Sequence, residues 1–242
     1  MQARHLPRFH PRPRIEALPL PDGREALVID GALENPDDLV ELAEQYRHLF
    51  EPAAAYAYPG LELWVHEQLL VRITDFFAQH LRGRLGARRT LQASARLSLL
   101  ARPAAQLQPR QWFCHRDDEG LPPGEMVAAG VLYLFHDPHL GGTSFYRPRL
   151  PPAQTAQLIE DAKQLDGASF SARWGLVPGY QTGDNAAFER VAQVAAAYNR
   201  LVVYDGGVFH SSDTPDAPPQ ATDPRHGRLT LNAFLRCTRL AR

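Results

Sequence analysis

The residues best suited to chemistry are two histidines, a carboxylate and an arginine in the C-terminal half of the chain. His115 and Asp117 stand in the segment Cys-His-Arg-Asp-Asp, and His210 stands in Val-Phe-His-Ser-Ser. Arg228 opens the segment Arg-Leu-Thr-Leu-Asn. Two imidazoles and one carboxylate can hold one face of a ferrous ion and leave its other positions open. The planar fork of an arginine can bind a dicarboxylate. The four residues therefore predict a metal site with an anion site beside it.

The spacing within the first pair predicts that both side chains point the same way. On a β-strand, residues i and i+2 share a face, so His115 and Asp117 project together while Cys114 and Arg116 point away. His210 follows the apolar segment Leu201–Tyr204 and a glycine turn. A sandwich of sheets can bring such distant strand ends together, although a single histidine or a His-x-Asp triplet is weak on its own.

Arg228 begins an alternating segment, which predicts a strand with one polar and one apolar face. Thr230, Asn232 and Phe234 share the face of Arg228, and the residues between them are leucine and alanine. A charged residue at the buried end of such a strand needs a partner. Two interpretations stay open. Arg228 is either a surface residue on a strand edge or a clamp for a carboxylate, with Thr230 or Ser212 adding a hydrogen bond.

The elements that must position these residues change in kind along the chain. The N-terminal third predicts a strand at 26–30, a helix that Asn35 caps, and a second helix from about Glu62 to Leu81. From Ala93 onward, short apolar segments are separated by Gly, Pro and Asp, which is typical of strands. The candidate strands are Ala95–Leu99, Gln111–His115, Ala128–Phe135, Thr143–Tyr146, Leu201–Tyr204 and Arg228–Arg236.

The order of helices followed by strands predicts an α+β domain, with helices on one side of a β-sandwich or jelly roll. A short helix fits between Pro151 and Leu165, whereas 186–197 fits a helix and a strand equally well. Residues 1–14, rich in arginine and proline, predict a loose N-terminal arm. Residues 15–242 predict a single domain, in which 15–90 is mostly helical support and 91–242 is the jelly-roll core.

Composition excludes several classes of protein. The 26 Lys and Arg residues balance 27 Asp and Glu residues, which argues against nucleic acid or an anionic membrane as a partner. No apolar run approaches the roughly 20 residues of a membrane helix. Two cysteines, Cys114 and Cys237, do not make a disulfide framework, so we expect a reduced, cytoplasmic setting. Nothing in the sequence indicates the oligomeric state.

A glycine-led strand completes a recognisable pattern. Residues 131–135 read as a strand, His136-Asp-Pro-His139 as a hairpin loop, and 141–146 as a second strand. The chain thus presents, in order, His-x-Asp, a strand with Tyr133, a Gly-Gly-Thr-x-Phe strand, a second histidine and an arginine. This order resembles that of iron(II)- and 2-oxoglutarate-dependent dioxygenases, nearest to their prolyl-hydroxylase-like branch. Segments between 188 and 232 further resemble a bacterial family of unassigned function in that superfamily.

The resemblance implies a double-stranded β-helix, or jelly roll, with supporting N-terminal helices. It implies that His115, Asp117 and His210 bind Fe(II) and that Arg228 binds 2-oxoglutarate. It makes Tyr133 a second donor to the same carboxylate, although a core aromatic residue is an equally good interpretation. The implied activity is that of a dioxygenase that uses dioxygen to hydroxylate a C–H bond of an amino-acid, peptidyl or small-metabolite substrate.

Two departures from the branch carry predictions of their own. The separation of the two histidines is long, which predicts an insertion near 147–187, where Trp174, Pro178 and Tyr180 either form a lid or simply pack. The offset of the arginine is also long, so Arg236 is the alternative clamp. Two other functions stay open: a cupin-like metal-binding β-sandwich with other chemistry, and a non-catalytic binding module on the same fold.

Overall fold

The computed structural model describes residues 6–53, 58–217 and 221–240. These ranges contain two antiparallel sheets and four α-helices, which is a mixed α+β architecture. The strands are β1 (Glu16–Pro19), β2 (Glu25–Asp30), β3 (Glu51–Pro52), β4 (Gly60–Trp64), β5 (Ala87–Leu100), β6 (Glu125–Tyr133), β7 (Thr143–Pro148), β8 (Phe188–Val194), β9 (Arg200–Asp205), β10 (Phe209–Ser212) and β11 (Leu229–Arg239). The helices are α1 (Asp37–Gln45), α2 (Glu67–His80), α3 (Pro152–Gln164) and α4 (Gly167–Trp174).

The two sheets pack against each other. The larger sheet has the strand order β1-β2-β9-β6-β11-β5-β4-β3, and the smaller sheet has the order β10-β7-β8. Tyr133 and Tyr204 of the larger sheet share an apolar cluster with Phe145 and Val194 of the smaller one. Helices α1 and α2 cover the opposite face of the larger sheet, because residues such as Leu39 and Phe77 join its core. The predicted α+β architecture is confirmed, but only α1 and α2 lie on that side, since α3 and α4 pack with Phe188 and Phe209 of the smaller sheet.

The two faces of β11 separate the core from a cavity, as its alternation predicts. Leu229 and Leu231 are at most 3% exposed and pack in the core under the N-terminal helices. Arg228 and Asn232 line a cavity between the sheets. The strand pairs with β5 on one side and β6 on the other, so both of its edges are hydrogen-bonded. This central position fixes the direction of each side chain.

Residues 15–90 are not mostly helical, which corrects the prediction. The described residues of this range hold two α-helices, four complete strands and the start of β5, all five strands being in the larger sheet. The second helix begins at Glu67 rather than Glu62, because 60–64 forms β4 and pairs with β5. Glycine at position 60 permits the close approach of β4 to β5, since a Cβ there would lie 1.9 Å from the carbonyl oxygen of Leu99. Trp64, which lay within the predicted helix, is on this strand and 63% exposed.

The N-terminal segment is docked where it is described, which corrects the prediction of a loose arm. Phe9 stacks on Phe76 of α2 with ring centroids 4.4 Å apart, and Leu6 is buried in the core. Arg72 of the same helix donates hydrogen bonds to the carbonyl oxygens of Leu6 and Pro7. Residues 1–5 of the predicted arm lie outside the described residues. Apolar side chains among the basic ones explain the docking.

The remaining elements follow the sequence closely. The helix between Pro151 and Leu165 is α3, and the ambiguous segment 186–197 contains the strand β8. Helix α4 has no counterpart in the prediction; Asp166 caps it by accepting a hydrogen bond from the Ser169 amide. Both cysteines are buried and free. No helix in the ranges that the structure describes is long and apolar enough to cross a membrane.

Candidate functional site

The two histidines and the aspartate predicted to bind metal lie together. His115 Nε2 is 3.7 Å from Asp117 Oδ1, and His210 Nε2 is 3.4 Å from Asp117 Oδ2. One potential ligand atom from each residue falls within 4.8 Å of those of the other two. No other group of three His, Cys, Asp or Glu residues reaches this proximity in the described part of the chain. A single ion can therefore contact all three side chains.

The segment that carries the first two of these residues is not the predicted strand 111–115. Pro109–Gln111 forms a 3-10 turn, which Pro109 favours at its first position. His115 makes an isolated bridge, in which its amide and that of His210 each donate to the other's carbonyl oxygen at 3.0 and 2.9 Å. The Asp117 amide donates to the Gly206 carbonyl oxygen at 2.8 Å. Backbone contacts thus set the relative positions of the three side chains.

Two further residues hold this segment in place. A Cβ on Gly206 would lie 2.9 Å from the Cβ of Asp117, so only glycine permits this approach. The buried Gln181 accepts a hydrogen bond from the Cys114 amide at 2.8 Å and donates one to the Gly183 carbonyl oxygen. Neither residue was singled out from the sequence, because neither belongs to a motif.

The electrostatics of the cluster suit a cation. His210 Nδ1 lies 2.9 Å from the Val208 carbonyl oxygen, which can only accept, so Nδ1 carries the proton and Nε2 presents its lone pair. Desolvation by the surrounding protein, and then the nearby His210, lower the pKa of His115, although Asp117 opposes the shift and 58% of the side chain is exposed to solvent. A neutral imidazole is the form that binds metal. The buried Oδ2 of Asp117 has no hydrogen-bond partner among the described residues, which leaves an unpaired acceptor beside the Nε2 atom of His210.

Arg228 is a buried cation near this cluster, at 3% exposure. Its Nε donates to the carbonyl oxygens of Leu140 and Gly141 at 3.0 and 3.2 Å, and its Nη2 donates to that of Gly142 at 2.9 Å. These three contacts fix the guanidinium plane. In the described ranges no carboxylate pairs with it. A buried charge without a counter-ion is unfavourable, so the position calls for an anion.

Two hydroxyl groups share the surroundings of Arg228. The oxygens of Tyr58 and Thr230 are buried, and neither has a partner with hydrogen-bond geometry among the described residues. Burial raises the pKa of Tyr58, and the nearby Arg228 only partly offsets this, so the hydroxyl stays protonated and can donate. Thr230 was predicted to lie here. Tyr58 was missed, because the segment Ala-Tyr-Ala-Tyr-Pro-Gly offers no signal beyond its Pro-Gly turn.

The other residues predicted for the anion site lie in different positions. The hydroxyl of the fully buried Tyr133 is 2.7 Å from Thr143 Oγ1, and its ring is 6.0 Å from the Arg228 guanidinium carbon. Burial raises the pKa of Tyr133. Ser212 lines the same cavity as Arg228. Arg236, the alternative clamp, forms an ion pair with Glu125 instead.

The metal cluster and Arg228 line one cavity of about 740 Å³. Ile159 and Lys163 of α3 and Tyr180 form part of its wall, so the segment 147–187 contributes to the cavity. Trp174 instead donates a hydrogen bond to Asp161 at 2.9 Å, and Pro178 is exposed. His136 and His139 lie in the predicted loop, where a 3-10 turn spans Pro138–Leu140.

Comparisons with known proteins give a fold and a family. No curated protein matches the chain. HygX from Streptomyces hygroscopicus, solved with nickel and 2-oxoglutarate bound, has 12% sequence identity and a TM-score of 0.51, covering 88% of this chain and 82% of its own. SnoN, a non-heme alpha ketoglutarate dependent epimerase from nogalamycin biosynthesis, has 13% identity and a TM-score of 0.48, covering 88% of this chain and 78% of its own. The likeness to HygX shows a shared fold. The model of the family of unknown function DUF6445 matches residues 11–235, and the chain therefore belongs to that family.

Proposed function

We propose that this protein is an Fe(II)- and 2-oxoglutarate-dependent oxygenase that hydroxylates a C–H bond of an amino-acid, peptidyl or small-metabolite substrate. One observation carries the proposal: the His-Asp-His cluster and a buried arginine without a counter-ion line the same cavity. A metal pocket of the cupin type needs no such cation, whereas a chelating dicarboxylate needs a metal and a distant positive charge. HygX, which shares the fold, was crystallised with nickel and 2-oxoglutarate.

The architecture supports the same class. We interpret the two facing antiparallel sheets as the two sheets of a double-stranded β-helix, within one domain over 15–242. The insertion then covers 147–187, and its helix α3 forms a wall of the cavity. A substrate would enter beside this wall. A cavity of about 740 Å³ has room for 2-oxoglutarate together with a small molecule or a side chain of a peptide.

Each residue has a distinct task in this proposal. His115, Asp117 and His210 would hold the iron through two neutral imidazoles and one carboxylate, which leaves the rest of its coordination sphere open. Arg228 would bind the distal carboxylate of 2-oxoglutarate, with hydrogen bonds from Thr230 and Ser212. When bound, Fe(II) and 2-oxoglutarate supply the activation of dioxygen that oxidises the substrate, with succinate and carbon dioxide as co-products.

The protein would also control water and protons around the metal. Asp117 Oδ2 is buried, so no bulk water competes for it. The Val208 carbonyl oxygen keeps the proton of His210 on Nδ1 and holds the ring in one orientation. Phe113 and Phe209, which also line the cavity, keep part of its wall apolar. These features favour tight, ordered binding of metal and co-substrate.

Anaerobic addition of Fe(II) and 2-oxoglutarate tests the proposal. We expect a weak visible charge-transfer band, which His210→Ala abolishes and which the matched control His139→Ala retains, because His139 is exposed in a loop outside the cavity. Slow, iron-dependent formation of succinate without substrate is a second readout. The absence of a band together with no measurable affinity for 2-oxoglutarate would refute the proposal.

The same measurements separate the two other functions. A cupin-like protein would bind the metal but show no affinity for 2-oxoglutarate. A non-catalytic module would show no succinate formation. The substrate itself is found by screening amino acids, peptides and small metabolites by mass spectrometry for the gain of one oxygen atom.

A further inference from the structure

Tyr58 lies just before strand β4 rather than on a strand. It nevertheless lines the cavity beside Arg228. We infer that Tyr58 is a co-substrate-binding residue, which together with Thr230 and Arg228 forms a three-donor site for the distal carboxylate of 2-oxoglutarate. This inference rests on the proposed function of the same cavity. It assigns a binding role to an N-terminal residue that precedes β4 and lies 170 positions before Arg228.

The position of Tyr58 is fixed by the backbone on its C-terminal side. The Pro59 carbonyl oxygen accepts hydrogen bonds from the amides of Ala101 and Arg102 at 3.1 and 3.0 Å. The Gly60 amide donates to the Tyr58 carbonyl oxygen at 2.9 Å, and Gly60 itself lies against the backbone of Leu99. These contacts tie the segment to the end of β5. The backbone beside the tyrosine is therefore held against the larger sheet.

The hydroxyl groups of Tyr58 and Thr230 lack the hydrogen-bond acceptors that an anion would supply. Both oxygens are buried, and although the Tyr58 hydroxyl lies close to Thr230 and Arg228, neither hydroxyl forms a hydrogen bond of good geometry among the described residues, which is unfavourable for a buried hydroxyl. Each can donate one hydrogen bond, and the guanidinium of Arg228 has N–H groups beyond the two that its three carbonyl contacts use. A carboxylate accepts at about four lone-pair sites. One carboxylate can thus satisfy Tyr58, Thr230 and Arg228 together.

A neutral ligand would leave the positive charge of Arg228 without a counter-ion. In the described ranges no carboxylate pairs with Arg228, whose neighbours are carbonyl oxygens, aromatic rings and the neutral hydroxyls of Tyr58 and Thr230. The Tyr133 hydroxyl is already hydrogen-bonded to Thr143, whereas that of Tyr58 has no such bond. The unpaired donors therefore favour a ligand that brings one negative charge and several acceptors. The distal end of 2-oxoglutarate has both properties.

The test compares two 2-oxo acids that chelate metal through the same group. 2-Oxoglutarate has a distal carboxylate and pyruvate has none. We expect Tyr58→Phe, measured by calorimetry on the anaerobic Ni(II)-loaded protein, to weaken 2-oxoglutarate binding roughly tenfold and to leave pyruvate binding unchanged. Thr230→Val, on another element, gives a second reading of the same site and should show the same selective loss. Tyr198→Phe is the matched control, since Tyr198 bonds to Asp37 away from the cavity.

The possible outcomes are distinct. Equal affinity of wild type and Tyr58→Phe for 2-oxoglutarate overturns the inference and leaves the proposed function intact. An equal loss for 2-oxoglutarate and pyruvate also overturns it, because that pattern means a structural role. If the wild-type protein binds metal but fails to bind 2-oxoglutarate, both the proposed function and this inference fall. A selective loss in both variants supports the three-donor site.

Discussion

Replacement of Gly206 by alanine is expected to weaken metal binding without unfolding the protein. The added Cβ would lie 2.9 Å from the Cβ of Asp117 and 3.0 Å from its Oδ2, with the Val127 carbonyl oxygen at 3.2 Å. Ordinary contacts begin at 3.4 Å. The Cβ of Asp117 must therefore move by about 0.5 Å, because closer approach of non-bonded atoms is strongly repulsive.

This displacement is large on the scale of metal coordination. Ligand distances in protein metal sites hold to within about 0.2 Å, so a carboxylate displaced by more than this becomes a poor ligand. The backbone of Asp117 cannot shift to relieve the contact without weakening the hydrogen bond from its amide to the Gly206 carbonyl oxygen. Changes next to a metal ligand typically lower affinity by about 10- to 100-fold. That loss equals roughly 1.4 to 2.8 kcal/mol of binding free energy.

The assay is a competition titration of Ni(II) against a chromophoric chelator, with circular dichroism to confirm the fold. The neighbouring Gly207→Ala is the matched control. Its Cβ would meet the Oδ2 of Asp118 at 2.8 Å and the Oδ1 of Asp205 at 3.1 Å, which are ends of side chains other than the proposed ligands. Metal affinity of Gly206→Ala within about threefold of wild type would show that Asp117 is not a ligand. An equal loss of metal affinity in Gly207→Ala would show that the effect comes from disturbing the turn and not from the contact with Asp117.

Three other variants test the support of the site. Gln181→Leu leaves the buried Cys114 amide without its acceptor, so the free energy of unfolding should fall by about 1–3 kcal/mol in urea titrations; an unchanged midpoint would contradict this contact. Phe188→Ala removes a fully buried ring 5.0 Å from that of Phe209, and should cost about 3–5 kcal/mol by the same measurement. The lowered pKa of His115 means that below pH 6.5 the unfolded chain binds more protons at this residue than the folded, metal-free protein does, and the effect is small because 58% of the side chain is exposed and solvent screens it. The melting temperature of the metal-free protein should therefore fall from pH 7 to pH 5, and His115→Asn should make that dependence shallower; an identical slope would refute the shift.

Local patterns predicted the parts of the fold that depend on alternation or helical spacing. The segment that became β11 showed its two faces in the sequence, and the structure places Leu229 and Arg228 accordingly. The apolar positions of α2 were recognised for the same reason. The His-Asp-His cluster was also identified, since the types and order of its members constrain the chemistry more than any single position does.

Long-range contacts explain what the sequence did not reveal. The predicted strand 111–115 is a turn and an isolated bridge, because its backbone partner is His210 rather than a neighbouring strand. Tyr58 reaches the cavity only because Pro59 pairs with the end of β5. The start of the second helix was misplaced because residues 62–64 were included in it, whereas the segment 60–64 pairs with β5 as a strand. In each case a distant partner decides between local alternatives.

The alternation along β11 has a consequence for how this protein can evolve. Odd-numbered residues from Leu229 to Cys237 lie in the core, whereas Arg228, just before the strand, and Asn232 and Phe234 line the cavity. Inserting or deleting one residue there would turn the leucines toward the cavity and the arginine toward the helices. Stability and co-substrate recognition would then be lost in one step. Point substitutions can change either property alone, so we expect length changes in this family to accumulate in loops such as 213–217 and to spare β11.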